Sequence, residues 1–451
     1  MKIIYQIGRL ERGVFKPINF DIKEKIYQSQ LTSFALRKFF QEQGDIARVV
    51  LIYPISLLLN KNAPSFEGIS EEFKELITKL LNDQTEITKY LSNPCFYFKK
   101  HPHSIEADNF IVIHSIGQYE GVNFSATLGE LILEIFIDMV LRYQKEPFSE
   151  LYLDISSGHN IYVSALLEAG RLFLTFYKLQ NFHLQDEQLK VYITFSDPIL
   201  SPYDRTFKIH KSFPLEAKVF FSYPEKPSEY SLEQGYMKFA GQLAKENREI
   251  KRNLNALFTH GYLFHSAIKN NTPLMLYTCN YHLEEDIDRG IQILIDLVKN
   301  NLTQTYQETP KLNFDLFRKA FLILAFYKGI VRVLKTYGVI KKDEISISEI
   351  KEKFGEEGKT LYKYFGLSQN APYLSHEMSN TFERNKDKFE KEYKLLKEYM
   401  GGEGEEIHPR NFLAHCGFER NCVYVRKKDE EILIKYKEDN LKDIEKILMR
   451  N

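Results

Sequence analysis

The first two hundred residues alternate short apolar runs with longer segments of helical periodicity, and this alternation limits the possible folds most. The apolar runs are rich in β-branched and aromatic residues and occupy 2–7, 48–53, 109–114, 150–155 and 190–195. The helical patterns between them occupy 29–43, 71–81, 126–143 and 161–178. Continuous apolar runs of this length suit strands that are buried on both faces, as in a parallel sheet. The alternation predicts an α/β, Rossmann-like N-terminal domain with right-handed crossovers.

The alternation of strand and helix patterns ends near residue 198. Five prolines between 198 and 227 interrupt the helical pattern. Two β-like pieces, 206–211 and 217–221, are expected to finish the sheet or to form a hairpin. We place the domain boundary at about residue 228, which gives an N-terminal domain of residues 1–228, with a linker from about 198, and a C-terminal domain of residues 229–451.

The second half of the chain has a mostly helical pattern. A long helix is predicted over 313–337, with Gly338 at the position that glycine favours after a helix. Residues 379–400 predict a highly charged helix with an apolar stripe. A hairpin formed by 421–426 and 432–436, followed by a short helix, ends the chain. We therefore expect an all-α C-terminal domain that carries a small β-hairpin.

The composition argues against several classes of protein. The chain carries 61 basic and 61 acidic side chains, so no field of the whole molecule attracts nucleic acid, and an RNA-binding surface has to be a local patch. None of the four cysteines belongs to a CxxC pair, which argues against a zinc ribbon, a disulfide framework or a thioredoxin-type site. The N-terminus lacks a signal-peptide pattern, and no apolar run reaches the roughly 18 to 20 residues of a membrane helix. We expect a cytoplasmic protein with reduced thiols and no membrane partner.

A short motif at 410–415, with the sequence RNFLAH, combines groups that suit metal-independent RNA cleavage. Pro409 favours a helix start, which places Asn411 and His415 on one helix face, and the long side chain of Arg410 can reach the same side. Histidine exchanges protons near neutral pH, a guanidinium grips a phosphate, and an amide holds the phosphate or orients a hydroxyl. An ordinary surface arginine at a helix start explains the spacing as well, so both interpretations stay open.

A second motif, LYLDISSGHN over 151–160, ends a strand and opens a helix. Small and polar residues at such a junction free backbone N–H groups, and the helix N-terminus adds partial positive charge. At the carboxyl edge of a parallel sheet this arrangement suits a phosphate or a nucleotide. A simple capped helix start is the alternative, and the missing GxGxxG pattern gives a dinucleotide site little support.

The segment RNFLAHCGFE resembles the Rx4H motif of HEPN-domain ribonucleases, including the polar residue directly after the arginine. This resemblance implies that Arg410 and His415 are catalytic and that Asn411 assists them. It also implies a homodimer, because HEPN domains typically pair so that two such motifs face each other across a twofold axis. Metal-independent cleavage of this kind would leave a 2′,3′-cyclic phosphate and a 5′-hydroxyl.

The strand, loop and helix around 151–160 are similar to those of CARF domains, where an aspartate-ended strand leads into a ligand-binding loop. The sequence departs from the usual pattern, since two serines stand where related ribonucleases more often carry threonine and histidine. The ends of the first and third strands would share the same sheet edge. The implied activator-binding residues are Gly8, Arg9, Ser115, Gly117, Gln118, Ser156, Ser157, Gly158, His159 and Asn160.

A CARF domain followed by a HEPN domain is the architecture of the ancillary ribonucleases of type III CRISPR systems, which the whole chain therefore resembles. Their activator is cyclic oligoadenylate, usually the tetra- or hexa-adenylate, and no further cofactor is implied. The expected function is an allosterically activated endoribonuclease of antiviral defence that cuts single-stranded RNA. A non-catalytic nucleotide sensor and a HEPN toxin restrained by an antitoxin are the alternatives, and slow degradation of the activator by the CARF domain stays open.

Two segments resemble known binding motifs, a P-loop and a zinc motif, but each lacks one required residue. The segment GEEGKT at 355–360 lacks a P-loop glycine, because Lys353 stands where that glycine is required. His376 and Glu377 begin like the zinc motif HExxH, but Asn380 occupies the place of the second histidine. Neither segment therefore predicts a nucleotide or zinc site.

Overall fold

The structure, a computed structural model, describes residues 1–156, 158–184, 189–198, 206–245, 247–302, 306, 310, 312–355, 360–401 and 404–451. Its contacts group into two compact units. The first comprises Met1–Thr175, Asp186–Ala217 and Ile295–Asp315, and the second comprises Phe176–Gln185, Lys218–Leu294 and Leu316–Asn451. The domain boundary near residue 228 stays a prediction, because these units are defined by contacts and not by independent folding.

A largely parallel sheet organises the first unit. The strands described in this part of the chain are β1 (Lys2–Ile7), β2 (Ile18–Ile22), β3 (Lys25–Ser29), β4 (Ala47–Pro54), β5 (Asn109–Ile113), β6 (Ile116–Tyr119), β7 (Val122–Ser125), β8 (Glu150–Asp154), β9 (Lys190–Ser196) and β10 (Thr206–Lys211). The order across the sheet is β3-β2-β10-β9-β8-β1-β4-β5. Strands β9, β8, β1, β4 and β5 are mutually parallel, which confirms the α/β prediction.

Helices follow the central strands, as the alternation of patterns predicts. They are α1 (Thr32–Glu42), α2 (Glu71–Asn82), α3 (Gln84–Ser92), α4 (Pro94–Phe98), α5 (Pro102–Glu106), α6 (Leu128–Lys145) and α7 (Asn160–Gln180). At the start of α6, the carboxylate of Glu130 accepts a hydrogen bond from the backbone N–H of Thr127 at 2.6 Å. This contact satisfies an amide that the helix itself leaves unpaired.

Successive side chains of the central strands enter different cores. Ile4 of β1 belongs to the core that also contains the buried aromatic side chains of α1 to α4. The next residue, Tyr5, points the other way, and its hydroxyl donates to Asp138 of α6 at 2.6 Å. On the same side, α7 passes so close to β8 that a side chain at Gly170 would meet Leu153. Both sheet faces are therefore covered, which explains why the strands are continuously apolar.

The margins of the sheet contain elements that the patterns did not specify. The hairpin of β2 and β3 extends one side, and β10 pairs antiparallel with β9, which confirms 206–211 as a strand that completes the sheet. Residues 217–221 form no strand, so that interpretation is wrong. Phe221 belongs to the second unit, where its ring packs on that of Phe365 with ring centroids 4.5 Å apart.

The second unit is mainly helical, as predicted. The helices that lie in it wholly or in part are α8 (Met237–Ala244), α9 (Arg248–Lys269), α10 (Pro273–Thr278), α11 (Glu284–Leu302), α12 (Phe314–Thr336), α13 (Ile347–Phe354), α14 (Asn370–Thr381), α15 (Leu396–Met400), α16 (Pro409–Ala414) and α17 (Leu441–Arg450). Helix α12 confirms the prediction for 313–337. Gly338 follows it with a φ of 62°, in the left-handed region that glycine favours after a helix.

A small antiparallel sheet accompanies these helices. Its strands are β11 (Ile345–Ser346), β12 (Lys394–Leu395), β13 (Val423–Lys428) and β14 (Glu431–Tyr436), in the order β11-β14-β13-β12. Strands β13 and β14 are the predicted hairpin. Arg426 of β13 donates two hydrogen bonds of 2.7 Å to Glu344, just before β11, and thereby ties the sheet together.

The single charged helix predicted over 379–400 is wrong. Helix α14 ends at Thr381, and the segment then passes through a 3-10 helix, strand β12 and the short helix α15. Phe382 and Phe389 are both buried, and the ring of Phe382 packs 5.1 Å from that of Phe418. Long-range packing and the pairing of β12 with β13 override a local pattern that suits a helix.

None of the helices in the described ranges has both the length and the apolar character that crossing a bilayer requires. The four cysteines, all of them described, form no disulfide. Burial raises the pKa of the Cys279 thiol to about 12 and raises that of the Cys416 thiol as well. These two thiols are therefore protonated at neutral pH.

Candidate functional site

The loop after β8 is fixed by the last residue of that strand. Asp154 is completely buried, and its Oδ1 atom accepts hydrogen bonds from the backbone N–H of Ser156 at 2.9 Å and from its hydroxyl at 2.6 Å. The Ser156 hydroxyl oxygen in turn accepts from the backbone N–H of Ser196, at the end of β9, at 3.0 Å. Burial raises the pKa of Asp154, and hydrogen bonds from Ser156 and Thr32 oppose that shift. The predicted ligand-binding loop is thus held at the carboxyl edge of the sheet.

Two predicted glycines allow close packing at the same edge. Gly158 has a φ of 115°, and a Cβ atom there would lie 2.8 Å from the Cβ of Ile7. A side chain at Gly8, directly after β1, would collide with the ring of Tyr53. Because neither position tolerates a larger residue without movement, the chain approaches the strand ends more closely than other residues permit.

The exposed end of the loop carries His159 and Asn160, both predicted to contact the activator. The carbonyl of His159 accepts from the N–H groups of Tyr162 and Val163 at 3.0 and 3.2 Å, so His159 caps α7. Asn160 is the first residue of that helix. Both side chains are exposed at a helix N-terminus, where partial positive charge favours a phosphate. Ser157 lies outside the described residues.

The remaining predicted activator residues differ in accessibility. Arg9 follows β1, and its Nε atom donates to Glu11 at 2.6 Å. Ser115 is fully buried, and its hydroxyl oxygen accepts from the N–H of Ser56 at 3.0 Å. Gly117 and Gln118 are exposed, but they lie within strand β6, paired with β7, and not in a simple loop after β5. The structure therefore replaces the predicted loop after the third strand with a hairpin.

Several polar groups at this edge were missed by sequence reasoning. The side chain of Gln6 accepts from the N–H of Ser33 at 3.2 Å and donates to the hydroxyl of Thr32 at 2.9 Å, which joins β1 to the start of α1. In the β6–β7 hairpin, burial and the neighbouring Tyr162 raise the pKa of Tyr119. The one signal for this cluster was a glutamine inside the otherwise apolar first strand.

In the second unit, the first five residues of the motif at 410–415 lie in the six-residue helix α16, which begins at Pro409 as predicted. Phe412 is fully buried and anchors the helix, whereas Arg410, Asn411 and His415 are exposed. His415 follows the last helical residue, and its N–H still donates to the carbonyl of Asn411 at 2.9 Å. The three predicted catalytic side chains therefore lie on one short, solvent-facing element.

His415 has a carboxylate partner that sequence reasoning missed. Its Nδ1 atom lies 3.0 Å from Oε1 of Glu377 in α14. The side chain of His415 is 49% exposed and that of Glu377 is 14% exposed. The abandoned HExxH pattern contains this glutamate, but a separation of 38 residues gave no indication of the contact.

Other charged groups surround the motif. The guanidinium of Arg410 forms no ion pair with any residue that the structure describes. Arg420 donates to the carbonyl oxygens of Met400 and Gly401 at 3.2 and 3.1 Å. Burial raises the pKa of Glu419, and the hydrogen bond from the N–H of Asn421 and the nearby charge of Arg420 oppose this shift. An exposed guanidinium that has no ion-pair partner among the described residues, on the same short motif as an exposed histidine, suits an anionic ligand such as a phosphodiester.

Among the described residues, no group of three or more histidine, cysteine, aspartate or glutamate side chains is arranged to hold a metal ion. Around His415 the donors within reach are the imidazole and the Glu377 carboxylate. Asn380, which replaces the second histidine of HExxH, donates to His376 at 2.8 Å.

Two family models match the chain. Residues 2–198 match the CARF domain of the CRISPR system endoribonuclease Csx1, and residues 367–438 match the HEPN domain of the same endoribonuclease. Together the matches cover more than half of the chain. The first contains the residues of the sheet edge, and the second contains the motif at 410–415 together with Glu377. No curated protein matches the chain at a significant level.

Proposed function

We propose that this chain, which belongs to the CARF–HEPN ancillary ribonucleases of type III CRISPR systems, cleaves single-stranded RNA when cyclic oligoadenylate binds to it. The two domain matches carry the coarser assignment to a CRISPR-associated endoribonuclease. The observation that supports the catalytic site is the exposure of Arg410 and Asn411 on α16 and of His415 directly after it, inside the HEPN match.

The proposed chemistry is an internal transfer of the phosphodiester. The ribose 2′-oxygen attacks the phosphorus, the bond from phosphorus to the 5′-oxygen breaks, and the 2′-proton leaves while the 5′-oxygen gains a proton. His415 exchanges one of these protons, Arg410 binds the phosphate oxygens, and Asn411 holds the phosphate or orients the 2′-hydroxyl. The products are a 2′,3′-cyclic phosphate and a 5′-hydroxyl, and no step requires a metal ion.

The activator is proposed to bind at the carboxyl edge of the parallel sheet. The loops after β1 and β8 and the β6–β7 hairpin after β5 all follow strand ends on this edge, because β1, β5 and β8 run parallel. The exposed residues Gly158 and His159 precede α7 and the exposed Asn160 begins it, at a helix N-terminus where backbone N–H groups suit a phosphate. Cyclic tetra- and hexa-adenylate are the candidate ligands, each with a repeating phosphate and adenine.

We further propose that the protein works as a homodimer. The activator would bind across two copies of the sheet edge, and two copies of α16 would form one composite site on RNA. Activation then means that the ligand binds more tightly to the arrangement in which both Arg410 and His415 pairs contact the same substrate.

The test of the chemistry is an RNA in which one nucleotide carries 2′-deoxyribose. The protein, with cyclic oligoadenylate present, is expected to cut the all-ribose RNA at its preferred position and to leave the matched 2′-deoxy RNA intact there. The fragments should carry 2′,3′-cyclic phosphate and 5′-hydroxyl ends by mass spectrometry. Cutting of the 2′-deoxy linkage, or 5′-phosphate ends, contradicts the proposed mechanism.

A further inference from the structure

The imidazole of His415 is held by a helix that lies outside the RNFLAH motif. Oε1 of Glu377, in α14, lies 3.0 Å from the Nδ1 atom of His415. The carboxylate is mostly removed from water, with 14% of the side chain exposed. Its Oε1 atom also accepts a hydrogen bond of 2.8 Å from the hydroxyl of Thr381, one turn further along α14. The hydrogen bond from Thr381 therefore holds the Glu377 carboxylate in addition to its contact with the imidazole.

The chemistry of the two groups decides which atom carries the proton. An ionised carboxylate only accepts hydrogen bonds, so the Nδ1 atom of His415 has to donate. In the neutral imidazole, the proton on Nδ1 leaves the lone pair on Nε2. The Glu377 contact occupies Nδ1, and Nε2 is the remaining nitrogen available for a substrate.

We propose that Glu377 is the positioning residue of the ribonuclease site, which sets the tautomer and the ring orientation of His415 so that Nε2 faces the RNA. This inference rests on the proposed function of His415 in cleavage. Glu377 does not touch the substrate and acts only through the imidazole. A histidine without such a partner samples both tautomers and several ring orientations, which lowers the fraction of molecules that are ready to exchange a proton.

A second acidic residue near His415, Glu419, forms its hydrogen bonds with another partner. Glu419 is buried, and its Oε2 atom accepts from the N–H of Asn421 at 2.7 Å. Its charge acts on His415 through space, whereas Glu377 forms the direct contact. The orientation of the imidazole is therefore assigned to Glu377 and not to Glu419.

A second contact between α14 and the end of α16 provides a matched control. The hydroxyl of Tyr373, one turn before Glu377, donates to the carbonyl of Ala414 at 2.7 Å. This contact joins the same two segments without touching the imidazole. Tyr373→Phe removes it, so this variant measures how much the mere attachment of α14 to α16 matters.

Kinetics separates positioning from attachment. Glu377→Ala is expected to lower kcat for RNA cleavage by about 10- to 100-fold with KM unchanged, because only part of the roughly 10²- to 10⁴-fold acid–base contribution is lost. Tyr373→Phe is expected to retain kcat close to that of the wild type. Equal loss of kcat in both variants overturns the proposal, and so does an unchanged kcat in Glu377→Ala.

A spectroscopic measurement tests the same contact without RNA or activator. In protein labelled with ¹⁵N histidine, the His415 signals are those missing from His415→Ala. The wild type and Tyr373→Phe are expected to show the Nδ1–H tautomer above neutral pH, and Glu377→Ala is expected to shift towards the Nε2–H tautomer. The same tautomer in all three overturns the proposal. If the wild type cleaves no RNA with any activator, the proposed function fails, while this comparison still decides whether Glu377 sets the tautomer.

Discussion

The carboxylate of Asp154 accepts both hydrogen bonds that Ser156 can offer, one from its backbone N–H and one from its hydroxyl. The Ser156 hydroxyl also accepts from the N–H of Ser196, so the pair joins the ends of β8 and β9. A loop held in this way presents its following residues, from Gly158 onwards, in a defined conformation. Such preorganisation favours ligand binding because less conformational entropy is lost.

We predict that Asp154→Ala weakens the binding of cyclic oligoadenylate. The change leaves the Ser156 N–H without its acceptor, which costs about 1–3 kcal/mol. Where the ligand-ready conformation of the loop bears this whole cost, Kd rises roughly 5- to 150-fold. Isothermal titration calorimetry measures this Kd directly. Asp154→Asn, which retains an oxygen acceptor, serves as the control and should lie closer to the wild type. Equal Kd values for the wild type and Asp154→Ala would contradict the role given to this loop.

Gly158→Ala is expected to raise the Kd for the activator by more than its effect on Tm accounts for. At Gly158 the added methyl group meets Ile7, and the positive φ adds backbone strain. Gly121→Ala is the matched control, because Gly121 also has a positive φ, of 81°, but a Cβ there has no neighbour within 4 Å. Comparison of Kd and Tm for the two variants separates local collision from backbone strain. A similar loss of affinity in both variants argues against a close-packed ligand loop.

Substitution of Arg410 should affect cleavage and leave the fold unchanged. Its side chain is exposed and makes no ion pair with the described residues, so Tm is expected to stay close to that of the wild type. Arg410→Ala is expected to lower kcat by about 10²- to 10³-fold, as for the loss of one group that stabilises charge in the transition state. Arg410→Lys keeps the charge without the bidentate geometry, so its kcat should lie between those of the wild type and Arg410→Ala. Rates are measured with labelled RNA at saturating activator, and a fully active Arg410→Ala would contradict the assignment.

Stability is expected to fall as the pH drops below about 6.5, because buried histidines resist protonation. Burial, with the nearby Arg9 charge, lowers the pKa of His103 to about 3, and burial lowers that of His101. The unfolded chain binds these protons first, so each buried histidine costs about 1.4 kcal/mol per pH unit between about 6.5 and its folded pKa. Thermal unfolding at pH 7 and pH 5 measures the effect. His103→Phe, which keeps a ring against Phe15, should show a smaller loss of Tm, and an undiminished loss contradicts the explanation.

The five parallel strands and the helices α1, α2, α6 and α7 could be predicted from the sequence, because their apolar residues follow strand or helix periodicity. Helices α3 to α5 and the β2–β3 hairpin were not predicted. The segment after α14 could not be predicted, since its charged residues suit a helix, while Phe382 packs on the distant Phe418 and β12 pairs with β13. The β6–β7 hairpin was missed because Gly117 and Gln118 look like loop residues when their pairing with β7 is unknown.

In the candidate sites, residues close in sequence could also be predicted, whereas contacts between residues far apart in sequence could not. Arg410, Asn411 and His415 lie within six residues, so one short motif predicted their common location. Glu377 contacts His415 only because α14 and α16 are brought together by the fold, and no spacing rule connects them. Gln6 and Thr32 likewise meet across a strand and a helix.

One experiment tests most directly whether cyclic oligoadenylate controls RNA cleavage through the motif at 410–415. Wild-type protein and His415→Ala are each incubated with labelled single-stranded RNA and EDTA, with or without cyclic tetra- or hexa-adenylate. We predict cleavage only by the wild type and only with one of the activators, while His415→Ala binds that activator with unchanged affinity. Cleavage by His415→Ala, equal cleavage without activator, or loss of cleavage on addition of EDTA would contradict it.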